Sequence, residues 1–355
     1  MRSQSVPSEC RTPARLETAI LPHRLLLLGL AVSIFAPASS ETLTSDRLGV
    51  LYNSNNASST RVAQYYAQRR HIPQSNLVGL AIPEREVLSR DELGQLRALT
   101  LARLPSVVQS LLLVWSKPYA VECMSITTAF AAGYQSGFCE PGCGPTTVSP
   151  LFDSSGWLPT DTTGWLPSML LPSQDEELAR ALINRGVEAD ASRPLGTVYL
   201  VRTQDSARNI RAMEYPNTNE LISGRVMVRD TTPIELPTRD IIGYFTGAAR
   251  VQELSMLMFR PGAAADHVTS SGGVLQTSGQ MSALEWLRQG ATASYGSVSE
   301  PCNRHEKFPN PGVLFNHYLR GDTLLEAYWK SVLMPGQGLF VGEPLARPFG
   351  TPHRE

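Results

Sequence analysis

The densest run of chemically able residues in this sequence is Asp266-His267-Val268-Thr269-Ser270-Ser271-Gly272-Gly273. A histidine acts as a general base when a carboxylate orients it. A hydroxyl beside it can be a nucleophile, and glycines let backbone N–H groups approach an oxyanion. Adjacent side chains on an extended segment point to opposite faces, so Asp266 is badly placed to orient His267. The orienting carboxylate is then expected from Glu300 or Glu122, with Ser270 supplying the hydroxyl. The alternative is a structural turn in which Asp266 and Thr269 bond local backbone. Glu300-Pro301-Cys302-Asn303 is a second candidate. Here Cys302 is either a thiolate nucleophile with His267 or His305 as base, or half of a disulfide.

A third group follows the apolar run 111–115 and contains Ser116, Lys117, Tyr119, Glu122 and Cys123. In open α/β sheets ligands bind beyond the carboxyl ends of the strands. Lys117, Tyr119 and Glu122 are therefore candidate ligand-binding residues. A shared pocket requires the strand ends near positions 122, 267 and 302 to meet at one rim. A near-repeat, Gly156-Trp157-Leu158-Pro159-Thr160 and Gly164-Trp165-Leu166-Pro167-Ser168, offers two tryptophans. They read either as a platform for a sugar or peptide ligand or as a hairpin packed on the sheet.

The elements that must position these residues follow from periodicity. Leu48–Asn53, Asn76–Ile82 and Ser110–Trp115 read as strands, and Ala57–Arg70 and Ser89–Leu104 as the helices between them. Ser89 stands three residues before Glu92, the spacing of a capping box. His71-Ile72-Pro73 ends the first helix, because proline disfavours helix in the residue before it. This alternation predicts a mainly parallel sheet flanked by helices. Residues 133–172, rich in Gly, Pro, Ser and Thr, break the rhythm and read as an irregular insertion or lid. The rhythm then returns. Helices are expected over 174–185, 206–215, 248–256, 280–289, 312–319 and 323–329, and strands over 197–202, 225–228, 241–246, 262–267, 291–298 and 339–341.

The N-terminus has a separate role. Arg11, Arg15 and Arg24 precede an apolar run from Leu25 to Phe35, and Ala36-Pro37-Ala38 is a small-x-small cleavage pattern. That is the layout of a secretory signal over residues 1–38, and the run falls short of the ~20 residues a spanning helix needs. Residues 39–355 are then one exported α/β domain, periplasmic or extracellular, with no membrane span after cleavage. The formal charge of −1 gives no reason to expect nucleic acid as a partner. Four cysteines remain after the signal, an even count that favours disulfides in an exported chain. Cys139 and Cys143 flank Glu-Pro-Gly, which suits a tight turn, so the expected pairs are Cys139–Cys143 and Cys123–Cys302. Their spacings lack the paired knuckles of a zinc site. No metal or cofactor is expected.

Two resemblances carry these readings further. Trp115-Ser116-Lys117-Pro118-Tyr119, Ala265-Asp266-His267-Val268-Thr269-Ser270, Gly290-Ala291-Thr292-Ala293-Ser294-Tyr295-Gly296, Glu300-Pro301-Cys302-Asn303 and Pro335-Gly336-Gln337-Gly338 resemble an uncharacterised family of exported proteins from exosortase-carrying bacteria. That likeness implies a link to the cell envelope and to sorted surface proteins, with an envelope or surface protein or a glycan as partner. Residues 241–348 also resemble the catalytic half of gingipain-type, caspase-like cysteine peptidases. Gly290–Gly296 resembles their Gly-Ala strand, and Gly342-Glu343-Pro344 their Gly-Asp-Pro. Tyr244-Phe245-Thr246-Gly247 resembles the histidine strand, with Thr246 in place of histidine, and Asp266-His267 falls near the cysteine position. The expected fold is thus a caspase/gingipain-like or Rossmann-like three-layer α/β architecture. The expected function is that of an envelope accessory or binding protein without the usual His/Cys pair. The alternative is a hydrolase using His267, oriented by Glu300, with Ser270 or Cys302 as nucleophile.

Overall fold

Short apolar runs bounded by polar turns become strands here, and runs with helical spacing cover them. In the computed structural model, residues 42–351 are described, apart from 140–142, 217–218, 223, 233–235 and 277–278. The expected signal over residues 1–38 lies outside the described residues. Along the chain come β1 (Leu48–Asn53), α1 (Ala57–Arg70), β2 (Leu77–Leu80), β3 (Val87–Leu88), α2 (Arg90–Arg103), β4 (Ser110–Val114), β5 (Ala120–Val121), β6 (Met124–Ser125) and α3 (Ile126–Ala132). Then follow α4 (Pro159–Thr163), β7 (Ser168–Leu171), α5 (Glu176–Ala189), β8 (Gly196–Val201), β9 (Glu220–Ile222), β10 (Val226–Thr231), β11 (Thr238–Gly247) and β12 (Leu257–Val268). The last are α6 (Ala283–Gln289), β13 (Ala293–Ser297), α7 (Pro311–Leu319), α8 (Leu324–Ser331) and β14 (Gly338–Gly342).

Eleven strands form one sheet in the order β2-β1-β4-β7-β14-β13-β12-β11-β8-β10-β9, while β3, β5 and β6 form a small second sheet. The expected α/β class is the observed one. β4 shows why: all five of its residues are buried, as a strand covered on both faces requires. Helices flank the sheet, with α1 packed on α5, α3 on β7 and β14, and α6 on β12 and β13. The predicted capping box closes α2, with Ser89 and Glu92 reciprocally bonded. His71 ends α1 in the left-handed region at φ 54°.

Three expectations are corrected. The segment 133–172 is not irregular throughout, because its end is β7, a fully buried central strand beside β4. Its four residues were too few to show a period. Residues 248–256 form no α-helix, only a 3-10 turn at Leu254–Met256. Residues 209–214 are 3-10 rather than α-helical.

The direction of the strands matters most for function. From β2 to β7 every pair in the main sheet is parallel, as is every pair from β13 to β10, and β14 meets β7 at Val341 opposite Leu170. β13 and β14 are antiparallel, pairing Tyr295 with Phe340. The carboxyl ends of β4, β7, β11 and β12 open on one rim, because Ser116 and Pro172, just past β4 and β7, line one cavity with Arg250, just past β11, and Gln280, on the loop after β12. The expected meeting of the strand ends near positions 122, 267 and 302 at one rim holds for the backbone: Ser299, just past β13, donates to Cys123 O (2.8 Å), while the His267 side chain is buried.

A buried carboxylate fastens the first half of the fold. Glu343, just past β14, accepts two hydrogen bonds from Arg70 (2.9 and 2.7 Å) and one from Tyr66 Oη (2.9 Å). Gly186 of α5 lies against this carboxylate so closely that a Cβ would collide with it. Glycine normally weakens a helix relative to alanine by ~1 kcal/mol, but here overpacking costs about 1–3 kcal/mol. Gly186→Ala should accordingly lower the urea-unfolding free energy, whereas Gly94→Ala in α2, where a Cβ meets nothing, should raise it. Equal effects at the two sites would refute the clamp.

Candidate functional site

β11 and β12 run side by side with Thr246 opposite His267 and Phe245 opposite Asp266. As alternation demands, Asp266 and His267 go to opposite faces of the sheet. His267 is fully buried under α6. Its Nδ1 accepts the indole N–H of Trp286 (2.9 Å), and its Nε2 lies 3.1 Å from Met281 O. A carbonyl only accepts, and the indole only donates. The imidazole is therefore the neutral Nε2–H tautomer with both nitrogens engaged. Burial pushes its pKa down to about 4, against the pull of the Met281 carbonyl. No lone pair is left for a base, and no carboxylate among the described residues touches the ring.

Asp266 is equally buried and pairs with Arg211. Burial still pushes its carboxyl up to about 6, with Arg211 opposing. Arg211 also donates to Thr246 O (3.2 Å) and Pro309 O (3.3 Å) and stacks over Phe245. The Thr246 hydroxyl donates to Val201 O (3.2 Å). Arg211 escaped the sequence reading because 3-10 turns leave no amphipathic signature and its partner lies 55 residues away.

The other hydrolase residues are also occupied elsewhere. Glu300 is exposed and accepts the Cys302 N–H (2.7 Å), far from the role of orienting His267. Ser270 is half-buried on the loop after β12. Its neighbours Thr269 and Ser271 are tied to Gln280 Oε1 (2.7 and 2.9 Å). The glycines do not face an oxyanion: Gly273 N–H donates to Ser297 O (2.8 Å), and a Cβ on Gly273 would strike the backbone of Gly296. The glycine pair therefore serves close packing against β13.

Cys302 is disulfide-bonded and offers no thiol, but its partner is not the expected one. The bonds are Cys123–Cys139 and Cys143–Cys302, with Cα separations of 5.8 and 5.0 Å. The short sequence spacing of Cys139 and Cys143 did not decide the pairing. Phe138 is buried in the core against Gly336, which holds Cys139 beside the β5–β6 turn that carries Cys123. Cys123 O in turn accepts the Ser299 hydroxyl (2.8 Å), so positions 123 and 302 do share a neighbourhood. His267 is buried apart from it.

Trp157 is a core residue and Trp165 is partly buried against the core, the packing that the hairpin reading expected. Trp157 is 2% exposed and donates to Ser110 Oγ (3.0 Å), with Lys330 over its ring. Trp165 packs edge-on against Phe138 and Trp329. Tyr119 is buried and donates to Glu86 (2.9 Å). Glu122 is exposed, gripped by Arg90 (2.7 Å twice) and Tyr134 (2.9 Å), and Arg90 lowers its carboxyl below the ordinary range.

Lys117 alone among the expected binding residues lines an open cavity. The chain passes from β1 to β2 on one side and then to β4 on the other, which makes the β1–β4 boundary a topological switch point. At its carboxyl rim lies a cavity of about 200 Å³ lined by Asn53, Asn56, Glu84, Ser116, Lys117 and Gln174. It shares Ser116 and Gln174 with a larger cavity of about 490 Å³, bounded by Arg250, Gln276, Gln280 and Ser282. Ser116 Oγ accepts Ser173 N (3.1 Å) and Gln174 N (3.0 Å), joining the ends of β4 and β7. Asn53 Oδ1 accepts the N–H of Ile82 (3.1 Å) and so fixes the end of β1. Lys117 makes no ion pair among the described residues. The corresponding crevice of the second half, between β8 and β11, is filled by the chain itself: Thr203 Oγ1 donates to Gly247 O (2.6 Å) and the Arg208 backbone lies on Gly247.

Among the described residues, no cluster of three His, Cys, Asp or Glu could hold a metal ion, and no helix is long and apolar enough to cross a membrane. No family model matches the chain, and no curated protein matches it.

The His267 geometry is open to measurement. Its folded pKa lies below the unfolded value, so the unfolded chain binds the extra proton and this group's contribution to stability rises with pH between about 4 and 6.5, by on the order of 3 kcal/mol. Heteronuclear NMR should show a neutral Nε2–H imidazole titrating near 4; a midpoint at or above 6 would contradict the buried assignment.

Proposed function

We propose that the mature chain is an exported accessory protein of the cell envelope that binds a polar partner, a surface protein or a glycan, in the groove beyond β1, β4 and β7. The observation that carries this reading is the contrast between two strand ends. Both nitrogens of His267 are engaged and Cys302 is closed in a disulfide, while the switch-point groove is open and lined with amide, hydroxyl and cationic side chains. A hydrolase needs a free base and an available nucleophile, and the described residues around His267 supply neither. Two disulfides fit an oxidising compartment outside the cytoplasm. The likeness to proteins of exosortase-carrying bacteria supports a role beside protein sorting. Polar lining without an exposed aromatic favours hydrogen-bonded recognition over stacking.

A photo-crosslinker placed at Gln174 or Gln276 should capture an envelope component in the native host, and one at Arg229, an exposed position on β10, should not. Lys117→Glu should weaken the groove adducts while leaving the melting temperature within about 2 °C, as expected for a substitution away from the core. Hydrolysis of casein or p-nitrophenyl acetate that vanishes in His267→Gln, with the fold intact, would sink the binding-protein reading.

A further inference from the structure

The helices stop before the sheet does. α7 lies over the second half with its Phe315 ring on Gly243, where a Cβ would collide with it. Among the described residues no helix packs closely on the outer strands β10 and β9. Between α7 and those strands is a cleft of about 330 Å³. Val198 stands opposite Val228, which stands opposite Glu220, so one cross-strand row runs from the cleft floor to its acidic edge. Leu200, Ile222, Phe315 and Leu319 complete the apolar lining. This volume and composition, apolar with a few convergent charges, is that of a small-ligand site.

The charges are sorted by sign. Glu214 also lines the cleft and lies near the N-terminal end of α7, where His305 Nε2 is 3.8 Å from its Oε1. Its Oε2 is buried without a hydrogen-bond partner. Burial raises this carboxyl above the ordinary range, against the pull of His305, Arg211 and a hydrogen bond from Asn310. Glu220 is the first residue of β9. At the other end of the helix, Arg320 is the C-cap of α7, exposed, and lines the same cleft. The nine residues of α7 separate the two ends by about 13 Å. An extended peptide covers that distance in about four residues.

We propose that this cleft binds a short apolar peptide with free ends, its ammonium at Glu214 and Glu220 and its carboxylate at Arg320. The site is independent of the switch-point groove, and failure of one leaves the other standing. Titration calorimetry on the mature protein would use the tetrapeptide Ala-Leu-Val-Ala and its N-acetylated and C-amidated forms. Saturable binding of the free peptide is expected, weakened about tenfold by either block, because each removes a charge-assisted contact. In Glu214→Gln the penalty for acetylation should fall to within about twofold, and in Arg320→Ala the penalty for amidation should do the same. Arg320 is exposed, so its variant keeps the test decisive if Glu214→Gln fails to fold. No saturable binding up to roughly millimolar peptide, or equal binding of free and blocked peptides, would overturn the proposal.

Discussion

One antiparallel pairing, β13 against β14, organises the molecule. The reversal carries the chain from the carboxyl end of β13 back to Glu343, which meets Arg70 and Tyr66 at the C-terminal end of α1. It also demands close backbone contact at the seam: a Cβ on Gly338 would collide with the Tyr295 ring, and one on Gly342 with the backbone of Ala293. The two halves then meet different fates. The first keeps an open crevice where its strand order reverses. In the second, residues 203–209 fold back over the equivalent crevice and fill it.

The second half shows what happens to a potential catalytic dyad position when it is committed to the core. Asp266 and His267 are neighbours in sequence, both fully buried, and perturbed in opposite directions. The raised Asp266 pKa makes the folded state hold its proton more tightly, so its contribution to stability falls as pH rises from about 3.8 to about 6. The lowered His267 pKa acts with the opposite sign over nearly the same window. Each amounts to on the order of 3 kcal/mol, and the two largely offset. Perturbed groups in a fold of this class would ordinarily flag a functional site. Here neither faces a cleft, and each has structural partners on its own side of the sheet.

How much of this was legible in the sequence depended on the range of the interaction. The α2 capping box spans three residues and was read directly from Ser89 and Glu92. The opposite facing of Asp266 and His267 followed from strand alternation alone. Lys117 was identified because a polar pair follows an unbroken apolar strand. The pairing of Cys139 was misjudged because it depends on where Phe138 is buried, and the nearby Cys143 offered a shorter but wrong solution. Trp157 and Trp165 left the platform reading open beside the favoured packed hairpin until their neighbours Ser110 and Trp329, distant in sequence, were known. β7 was hidden inside a segment of turn-forming residues, since four buried residues carry no period. Arg211 left no local trace, because its partners are brought to it only when β11 and β12 pair.

The proposed binding role rests on the same dependence on range. Catalysis requires a reactive group left incompletely satisfied, in a geometry that the surrounding fold enforces. At the ends of β11 and β12 the fold has done the reverse. The imidazole is closed by an indole and a carbonyl, the carboxylate by a guanidinium, the threonine hydroxyl by a neighbouring strand, and the glycines by the backbone of β13. Each contact removes a degree of freedom that chemistry would need and adds rigidity to the seam. Asp266 Oδ2 and Arg211 Nε lack a hydrogen-bond partner but are sealed in the interior, whereas Lys117 lines the switch-point groove and Glu214 the α7 cleft. Free polar groups in concave, partly dry places are where a partner gains most from supplying the missing hydrogen bonds.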